Sequence, residues 1–268
     1  MEILPSHKII VRAVIIVLCT LSCIFTGCKK HTGVITEQIQ PGIYRIKASR
    51  SNVYVLADKT LTLIDTGMQG DGEEIIKAIR AIGRKPEEVT QILITHAHID
   101  HTGSLAFLKQ ATGAQIFAGI REIDYIQGAK KTWRMEREGL GGTLFKLALF
   151  VAETFFYSYT PVAVDVPLLG GEVLNCFEGI KVVATPGHSP GSLSYYLPEK
   201  KILFTGDALS GAPEVRLPPQ AGCADYQEAR ASVKKLSALR FETCCFGHGE
   251  PLKSGADAVV KKLCAALP

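Results

Sequence analysis

The sequence predicts an α+β domain in which strands pack on strands beneath a cover of helices. Three observations predict it. Short β-rich runs recur along the chain, segments with apolar residues at helical spacing separate them, and no Gly-, Pro- or Ser-rich linker divides the two halves. The 268 residues, 47% of them hydrophobic, can bury one large core.

The elements follow in chain order. Residues 29–40 are polar and read as a tether, with the folded domain spanning 41–268. "GIYRIKA", "NVYVLAD" and "TLTLIDTG" read as strands, with Asp58-Lys59 turning between the last two. In "DGEEIIKAIRAIG", Ile75, Ile76, Ile79 and Ile82 share one helical face, and Gly83 suits the stop. "QILIT" is a short aliphatic strand, "SLAFLKQATG" a helix ended by Gly113, and "AQIFAG" another strand. Residues 121–139 are charge-rich and read as helical. After a hydrophobic insertion at 140–161, "GIKVVATPGHSPG", "LSYYLPEKKILFTGD" and "TCCFGHG" restore strand patterns. Asp225 to Leu239 is a capped helix with Ala229, Val233, Leu236 and Leu239 inward, and Gly255 to Leu267 is the last helix.

Residues 1–28 differ from the rest. Lys8 and Arg12 precede an uncharged stretch from Ala13 to Gly27, shorter than the roughly 20 residues of a membrane span. "FTGC" followed by Lys29 and Lys30 resembles a bacterial lipoprotein box with Cys28 as the acylated residue, although Phe25 stands where an aliphatic is usual. The segment is either a lipoprotein signal, an uncleaved anchor helix or a simple secretion signal. Each reading puts the domain outside the cytoplasm, with the first two tying it to the membrane. Of the eight cysteines, Cys176, Cys223, Cys244, Cys245 and Cys264 lie in the folded portion. Five are too few for a disulfide scaffold and suit small buried hydrophobes. Cys244 and Cys245 are adjacent in a strand pattern, so their side chains should face opposite ways. A net charge of +4 with scattered positives gives no clustered footprint for nucleic acid.

"ILITHAHIDHTG" places three histidines and an aspartate directly behind an aliphatic run. Five of the seven histidines lie in the folded portion, and every one follows a β-rich run: His96, His98 and His101 after "QILIT", His188 after "KVVATPG", His248 after "TCCFG". Asp207 follows "KILFTG" in the same manner. A buried strand fixes the backbone, and the loop beyond it presents the ligands. His96 and His98 are two apart, so both imidazoles can point one way; Asp100 and His101 can face a second centre. His188 and His248 supply the missing member of each, and Asp207 can span both. Three nitrogens with an open position make a catalytic zinc shell. Two cations about 3.5–4 Å apart can hold a hydroxide between them. The plain alternative, satisfied core histidines, would have to account for all five together with two carboxylates and glycines beside His188, Asp207 and His248.

"THAHIDHTG", "TPGHSPGS", "LFTGDAL" and "FGHGEP", with "IDTG" at Ile64–Gly67, resemble the metallo-β-lactamase-fold hydrolase superfamily over roughly residues 41–252. The resemblance implies a four-layer αββα sandwich with metals at one edge of the paired sheets. It implies His96, His98 and His188 on a first metal, Asp100, His101 and His248 on a second, and Asp207 between them. Asp65 resembles the family's aspartate that steadies the histidine loop. Two Zn²⁺ per chain are expected, with iron or manganese suited to similar ligands.

A metal-bridging hydroxide would attack a carbonyl carbon while a metal stabilises the developing oxyanion. Asp100 is the candidate catalytic carboxylate, set to orient the water or shuttle its proton. Within the family, Asp at position 207 resembles the glyoxalase II and lactonase branch, where β-lactamases typically carry Cys or Ser. Ala97 stands where the iron oxidoreductase branch usually has Glu. The expected activity is zinc-dependent hydrolysis of a small-molecule thioester, lactone or other ester. The alternatives are β-lactam hydrolysis and a non-catalytic metal-binding surface protein. In the insertion, Leu144, Leu147, Phe150, Val151 and Phe155 sit at roughly helical spacing. The stretch is either core, packed within the domain or against a homodimer partner, or a cap whose Phe150 and Phe155 line an acyl pocket, or a surface resting on the membrane.

Overall fold

Two β-sheets meet face to face, and the edge they share is where the sequence motifs come together. The structure, a computed structural model, describes residues 36–130, 160–211 and 214–267. The first sheet has seven strands in sequential order: β1 (Thr36–Gln40), β2 (Ile43–Lys47), β3 (Asn52–Ala57), β4 (Leu61–Ile64), β5 (Val89–Leu93), β6 (Gln115–Gly119) and β7 (Val166–Leu168). The second has five in the order β12-β11-β10-β9-β8, from β8 (Val173–Leu174), β9 (Ile180–Ala184), β10 (Leu193–Leu197), β11 (Ile202–Phe204) and β12 (Thr243–Cys245). Helices α1 (Gly72–Ala81) and α3 (Leu105–Thr112) cover the first sheet, with the short turns α2 (Ile99–Thr102) and α4 (Ile123–Ile126) following β5 and β6. Helices α5 (Tyr226–Ser237) and α6 (Ala256–Ala265) cover the second.

The period-2 alternation of strands builds the layers. In β3, Val53 and Val55 face the α1/α3 side, whereas Tyr54 and Leu56 face the second sheet. In β10, Tyr195 points between the sheets and Tyr196 toward α5 and α6. Cys245 faces inward and Cys244 outward, as adjacent strand residues must. All five described cysteines are free thiols. Helix α1 buries Ile75, Ile76, Ala78 and Ile79 against the first sheet, and each isoleucine contributes about 1.5–3 kcal/mol. Gly83 and Gly113 take left-handed φ of 77° and 73° just past α1 and α3, closing both helices. Asp225 caps α5 by accepting from the amides of Gln227 and Glu228 at 2.8 and 2.9 Å.

Two expectations are corrected. Residues 36–40 are not tether but the edge strand β1, paired antiparallel with β2. An edge strand half-exposed on both faces needs no apolar alternation, so "TEQIQ" reads as polar chain. The expected helix over 121–139 is, within the described residues, only a 3-10 turn at Ile120–Glu122 and α4, stopped by Gly128 at φ 75°. Residues 1–28 and most of the insertion, including Phe150 and Phe155, lie outside the described residues. Among those described, no helix is long and apolar enough to cross a membrane.

Strand direction decides where the loops emerge. β4, β5, β6 and β7 run parallel, and β2 shares their direction because it is antiparallel to β3, which is antiparallel to β4. In the second sheet β9, β11 and β12 run together, opposed by β10. The residues after β4, β5, β9, β11 and β12 are those of "IDTG", "HAHIDH", "TPGH", "TGD" and "FGH".

Candidate metal centre

The ligand atoms form two adjoining groups. His96, His98, His188 and Asp207 make one, and Asp100, His101 and His248 the other, with the ligand atoms of each within 4.8 Å of one another. In the first, His98 Nδ1 lies 2.9 Å from His96 Nε2 and 3.0 Å from His188 Nε2. In the second, His248 Nε2 lies 3.4 Å from His101 Nε2 and 3.3 Å from Asp100 Oδ2. Asp207 reaches across both, with Oδ2 3.4 Å from His188 Nε2 and 3.2 Å from His248 Nε2, and Oδ1 3.5 Å from His101 Nε2. Every ligand residue anticipated from sequence is therefore brought to one place, as is Asp65.

Groups behind the rings fix which nitrogen points inward. The Asp65 carboxylate accepts from the Thr95 amide, the Thr95 hydroxyl and His101 Nδ1, each at 2.8 Å. Thr95 has only one hydroxyl proton and gives it to Asp65. His96 Nδ1, 3.1 Å from that hydroxyl oxygen, must then be the donor, which leaves His96 Nε2 bare toward the site. His248 Nδ1 donates to the Arg50 carbonyl at 3.0 Å, which turns its Nε2 toward the site. Two tyrosines and an asparagine fasten the sheets together beside these loops. Tyr195 OH donates to the Ile94 carbonyl at 2.8 Å and Tyr54 OH to the Phe246 carbonyl at 2.7 Å. The Asn52 side-chain amide donates to the Phe246 and Gly249 carbonyls.

One residue of the site escaped the sequence reading. Glu122, fully buried, joins the loop of His96 and His98 to the loop of His188. Its carboxylate accepts from the Ala97 amide at 2.8 Å, the Ser189 hydroxyl at 2.8 Å and the Gly191 amide at 2.6 Å. Burial raises its pKa against the pull of these donors. The available signal was its position just past strand "AQIFAG", the same strand-end placement as the ligands. Gly119 and Gly191 allow the close approach: a Cβ on Gly119 would lie 2.1 Å from the Gly191 carbonyl.

The electrostatics divide the two groups. Burial, reinforced by the neighbouring rings, lowers the pKa of His96 and takes His98 down to about 3. Burial likewise lowers that of His188, against the pull of Asp207. In the second group burial opposes protonation, but the carboxylates of Asp207, Asp65 and Asp100 raise His101 to about 9. Hydrogen bonds to Asp100 and Asp207 raise His248 to about 11. Burial would raise Asp100 and Asp207; the adjacent His101 and His248 outweigh it and hold both well below the usual carboxylate range.

These residues fit divalent cations. Asp207 Oδ1 is buried with no hydrogen-bond partner. The inward ring nitrogens crowd together at distances where neutral imidazoles cannot all donate to one another. Imidazole and carboxylate donors in this number suit zinc, iron or manganese. A Cβ on Gly247 would come within 2.2 Å of Asp207 Oδ1, so the chain keeps that space clear.

The sequence model of the metallo-beta-lactamase superfamily matches residues 46–248. The chain belongs to this superfamily. Its two sheets and covering helices are the superfamily's αββα sandwich. It is 24% identical over 79% of its length to a probable metallo-hydrolase (YflN) of Bacillus subtilis, covering 85% of that protein. It is 29% identical to a hydroxyacylglutathione hydrolase (GloC) of Haemophilus influenzae, over 77% of this chain and 89% of that one. A hydroxyacylglutathione hydrolase of Bartonella tribocorum is 31% identical over 67% of this chain, which spans 56% of that longer protein. Among solved structures, the subclass B3 metallo-beta-lactamase BJP-1 of Bradyrhizobium japonicum superposes with a TM-score of 0.66 at 25% identity, over 89% of this chain and 93% of that one.

Two outcomes are expected at this centre. At pH 7.5 the metal-free His101 and His248 lie below their raised pKa values of about 9 and 11 and carry protons, whereas His96, His98 and His188 do not. Cation uptake must strip the former. Calorimetric zinc titration in buffers of different ionisation enthalpy should show up to about two protons released with the Asp100/His101/His248 ion and almost none with the other. Equal release for both ions would contradict the assignment.

Glu122→Ala strands three donors, the buried Ser189 hydroxyl and the half-buried Ala97 and Gly191 amides, at about 1–3 kcal/mol for each left unsatisfied out of reach of water. It should lower the thermal midpoint and weaken retention of metal at His96/His98/His188 by about 10- to 100-fold. Glu122→Gln, which keeps an acceptor oxygen, should fall between. Elemental analysis after dialysis reads the outcome, and an alanine variant with wild-type metal content and midpoint would refute the role.

Proposed function

We propose that the chain is a dinuclear, zinc-dependent hydrolase of a carboxylic thioester, lactone or other ester. The observation that carries this reading is the reach of Asp207: one carboxylate lies within 3.2–3.5 Å of ring nitrogens from both ligand groups. His96, His98, His188 and Asp207 would hold one cation, Asp100, His101 and His248 the other, shared through Asp207. Cations bound there supply Lewis acidity and lower the pKa of a coordinated water to about 7.

The protein's own part is orientation and charge. Asp65, Thr95 and the Arg50 carbonyl hold the rings of His101, His96 and His248 with Nε2 inward, so these three are oriented before a cation arrives. Asp100 is more open to solvent than Asp207, with its side chain 22% exposed against 11%. Being held anionic, its Oδ2 can accept a hydrogen bond from a water molecule and so orient it. The buried Glu122 keeps the two loops of the first group at fixed separation. Relatives named hydroxyacylglutathione hydrolase favour a thioester. The superposition on a B3 metallo-beta-lactamase keeps β-lactam cleavage as the second reading. The uncharged N-terminal stretch ending in "FTGC" supports the further proposal that the enzyme works outside the cytoplasm, tied to the membrane by a lipidated Cys28.

Purified protein should contain two zinc ions per chain and turn over a glutathione thioester or a homoserine lactone faster than nitrocefin. Asp207→Ala should cost at least about 100-fold in kcat/KM and release metal. Faster nitrocefin cleavage would reverse the order of the two readings, and full activity with one ion would end the dinuclear one. For the anchor, the full chain should enter the detergent phase on phase separation and Cys28→Ser should move it to the aqueous phase. A wild-type chain retaining residues 1–27 or staying aqueous would refute lipidation.

A further inference from the structure

The chain enters the fold at the edge that holds the metal centre. β1 is antiparallel to β2, with Thr36 opposite Ile46 and Gln40 opposite Ile43. β2 runs toward the centre: past its end the Arg50 carbonyl accepts from His248, and the Asn52 amide donates to the Gly247 carbonyl. Thr36 therefore stands at the end of β1 nearest the centre. Only residues 29–35 separate it from Cys28. The eight Cα–Cα steps from Cys28 to Thr36 reach at most about 29 Å, and about 16 Å on average for a flexible chain. A compact body of about 230 residues has a radius of gyration of about 17 Å and is roughly 45 Å across. With Cys28 held in a membrane, even the extended tether falls short of letting this edge face away from the lipid.

The same edge carries exposed apolar side chains. β6 and β7 run parallel to β5, so the residues just past them emerge on the side of the ligand loops. Ile120 follows β6 and is 48% exposed; Leu169 follows β7 and is 70% exposed. Phe107, 42% exposed, lies in the first turn of α3 against Gly72, the residue that opens α1. Both helices begin a few residues past the centre-facing ends of β4 and β5. Of the five large apolar side chains exposed among the described residues, these three share the edge, whereas Val173 lies within β8 and Val259 on α6. Singly exposed apolar residues are ordinary; their placement where the tether enters is what selects a lipid surface. They are also well spread. β1 and β7 are the two ends of the seven-stranded sheet, six strand spacings or about 29 Å apart. The tether enters at one end, and Ile120 and Leu169 stand at the other.

We propose that the edge holding the metal centre is a lipid-docking surface: with Cys28 anchored, Phe107, Ile120 and Leu169 rest in the bilayer interface and the centre opens toward it. The inference rests on the lipidated Cys28 proposed above and adds an orientation to it. The test places one tryptophan at either end of the full-length chain. Trp133→Phe removes the sole native tryptophan. In that background Leu169→Trp reports on the edge of the centre. Lys59→Trp reports on the far edge, in the exposed turn between β3 and β4. The probe is vesicles of phosphatidylethanolamine and phosphatidylglycerol, with and without bromine on the acyl chains near the headgroups. Brominated lipid should quench Leu169→Trp at least about twofold more than Lys59→Trp, with metal content unchanged in both. Should Leu169→Trp lose metal, Ile120→Trp gives the same comparison. Equal quenching at the two positions, or stronger quenching at Lys59→Trp, overturns the orientation. So does a vesicle-bound chain quenched at neither, the result expected if a second copy covers the edge. Partition of the wild type between detergent and water reads the anchor separately. A chain that enters detergent without the quenching preference keeps the anchor and loses the docking surface. One that stays aqueous yet is quenched at Leu169→Trp loses the anchor and keeps the docking surface, and one that stays aqueous and is quenched at neither loses both.

Discussion

The metal centre depends on one carboxylate that touches no substrate. Asp65 sits at φ 60°, in the left-handed region that an L residue enters only at some cost, just past the end of β4. Aspartate is among the few side chains that tolerate this turn, and here it also collects three hydrogen bonds. Two of them go to Thr95 and fix the exit of β5, from which His96, His98, Asp100 and His101 follow. The third goes to His101 itself. The Thr66 amide and hydroxyl, one residue on, donate to the His101 carbonyl at 2.8 Å. A single turn after one strand thus sets both the backbone path and the ring orientation of the loop after its neighbour.

The second sheet is tied to this arrangement by close approach. Gly206, beside Asp207, lies where a Cβ would meet Thr95 at 2.6 Å, and Gly187, beside His188, where a Cβ would meet the Ala229 amide at 2.1 Å. Both have positive φ, so space and backbone conformation demand glycine together. The Leu193 amide donates to the Thr95 carbonyl at 2.8 Å, a main-chain bond from one sheet to the other. Ligands contributed by four separate strand ends can converge within a few ångströms only because such small residues let the loops touch. The polar cost of bringing so many donors out of water is met by pairing nearly every one of them.

Much of this was legible in sequence, for a physical reason. Each ligand stands a fixed few residues beyond an aliphatic run, and strand then loop is a local pattern that needs no tertiary knowledge. The opposite facing of Cys244 and Cys245, the cap at Asp225 and the stops at Gly83 and Gly113 are local in the same sense. What was not legible depends on partners distant in the chain. β1 is held by pairing and by Arg45–Glu37 and Lys253–Glu37 ion pairs, none of which leaves a mark in "TEQIQ". β7 and β8, three and two residues long, are too short to show a period. Glu122 lies in a charge-rich segment, where a glutamate reads as a solvated face; only the folding of Ser189 and Gly191 against it makes it buried.

The same contrast separates what the superfamily shares from what is particular to this chain. The interior of the centre is fixed by motifs whose chemistry is common to many substrates: imidazoles, a carboxylate between them, and the outer acceptors that orient the rings. None of those groups can distinguish one acyl chain or leaving group from another, because they either face the ligand cluster or stand behind its rings. Discrimination must come from side chains that reach the substrate beyond the reacting carbonyl. On the described surface, the turn after β2 meets this requirement at the level of its backbone, since it is bonded to His248 on one side and to the Asp100 main chain on the other. A turn so placed shares the rigidity of the ligand loops while its exposed side chain carries no share of their work.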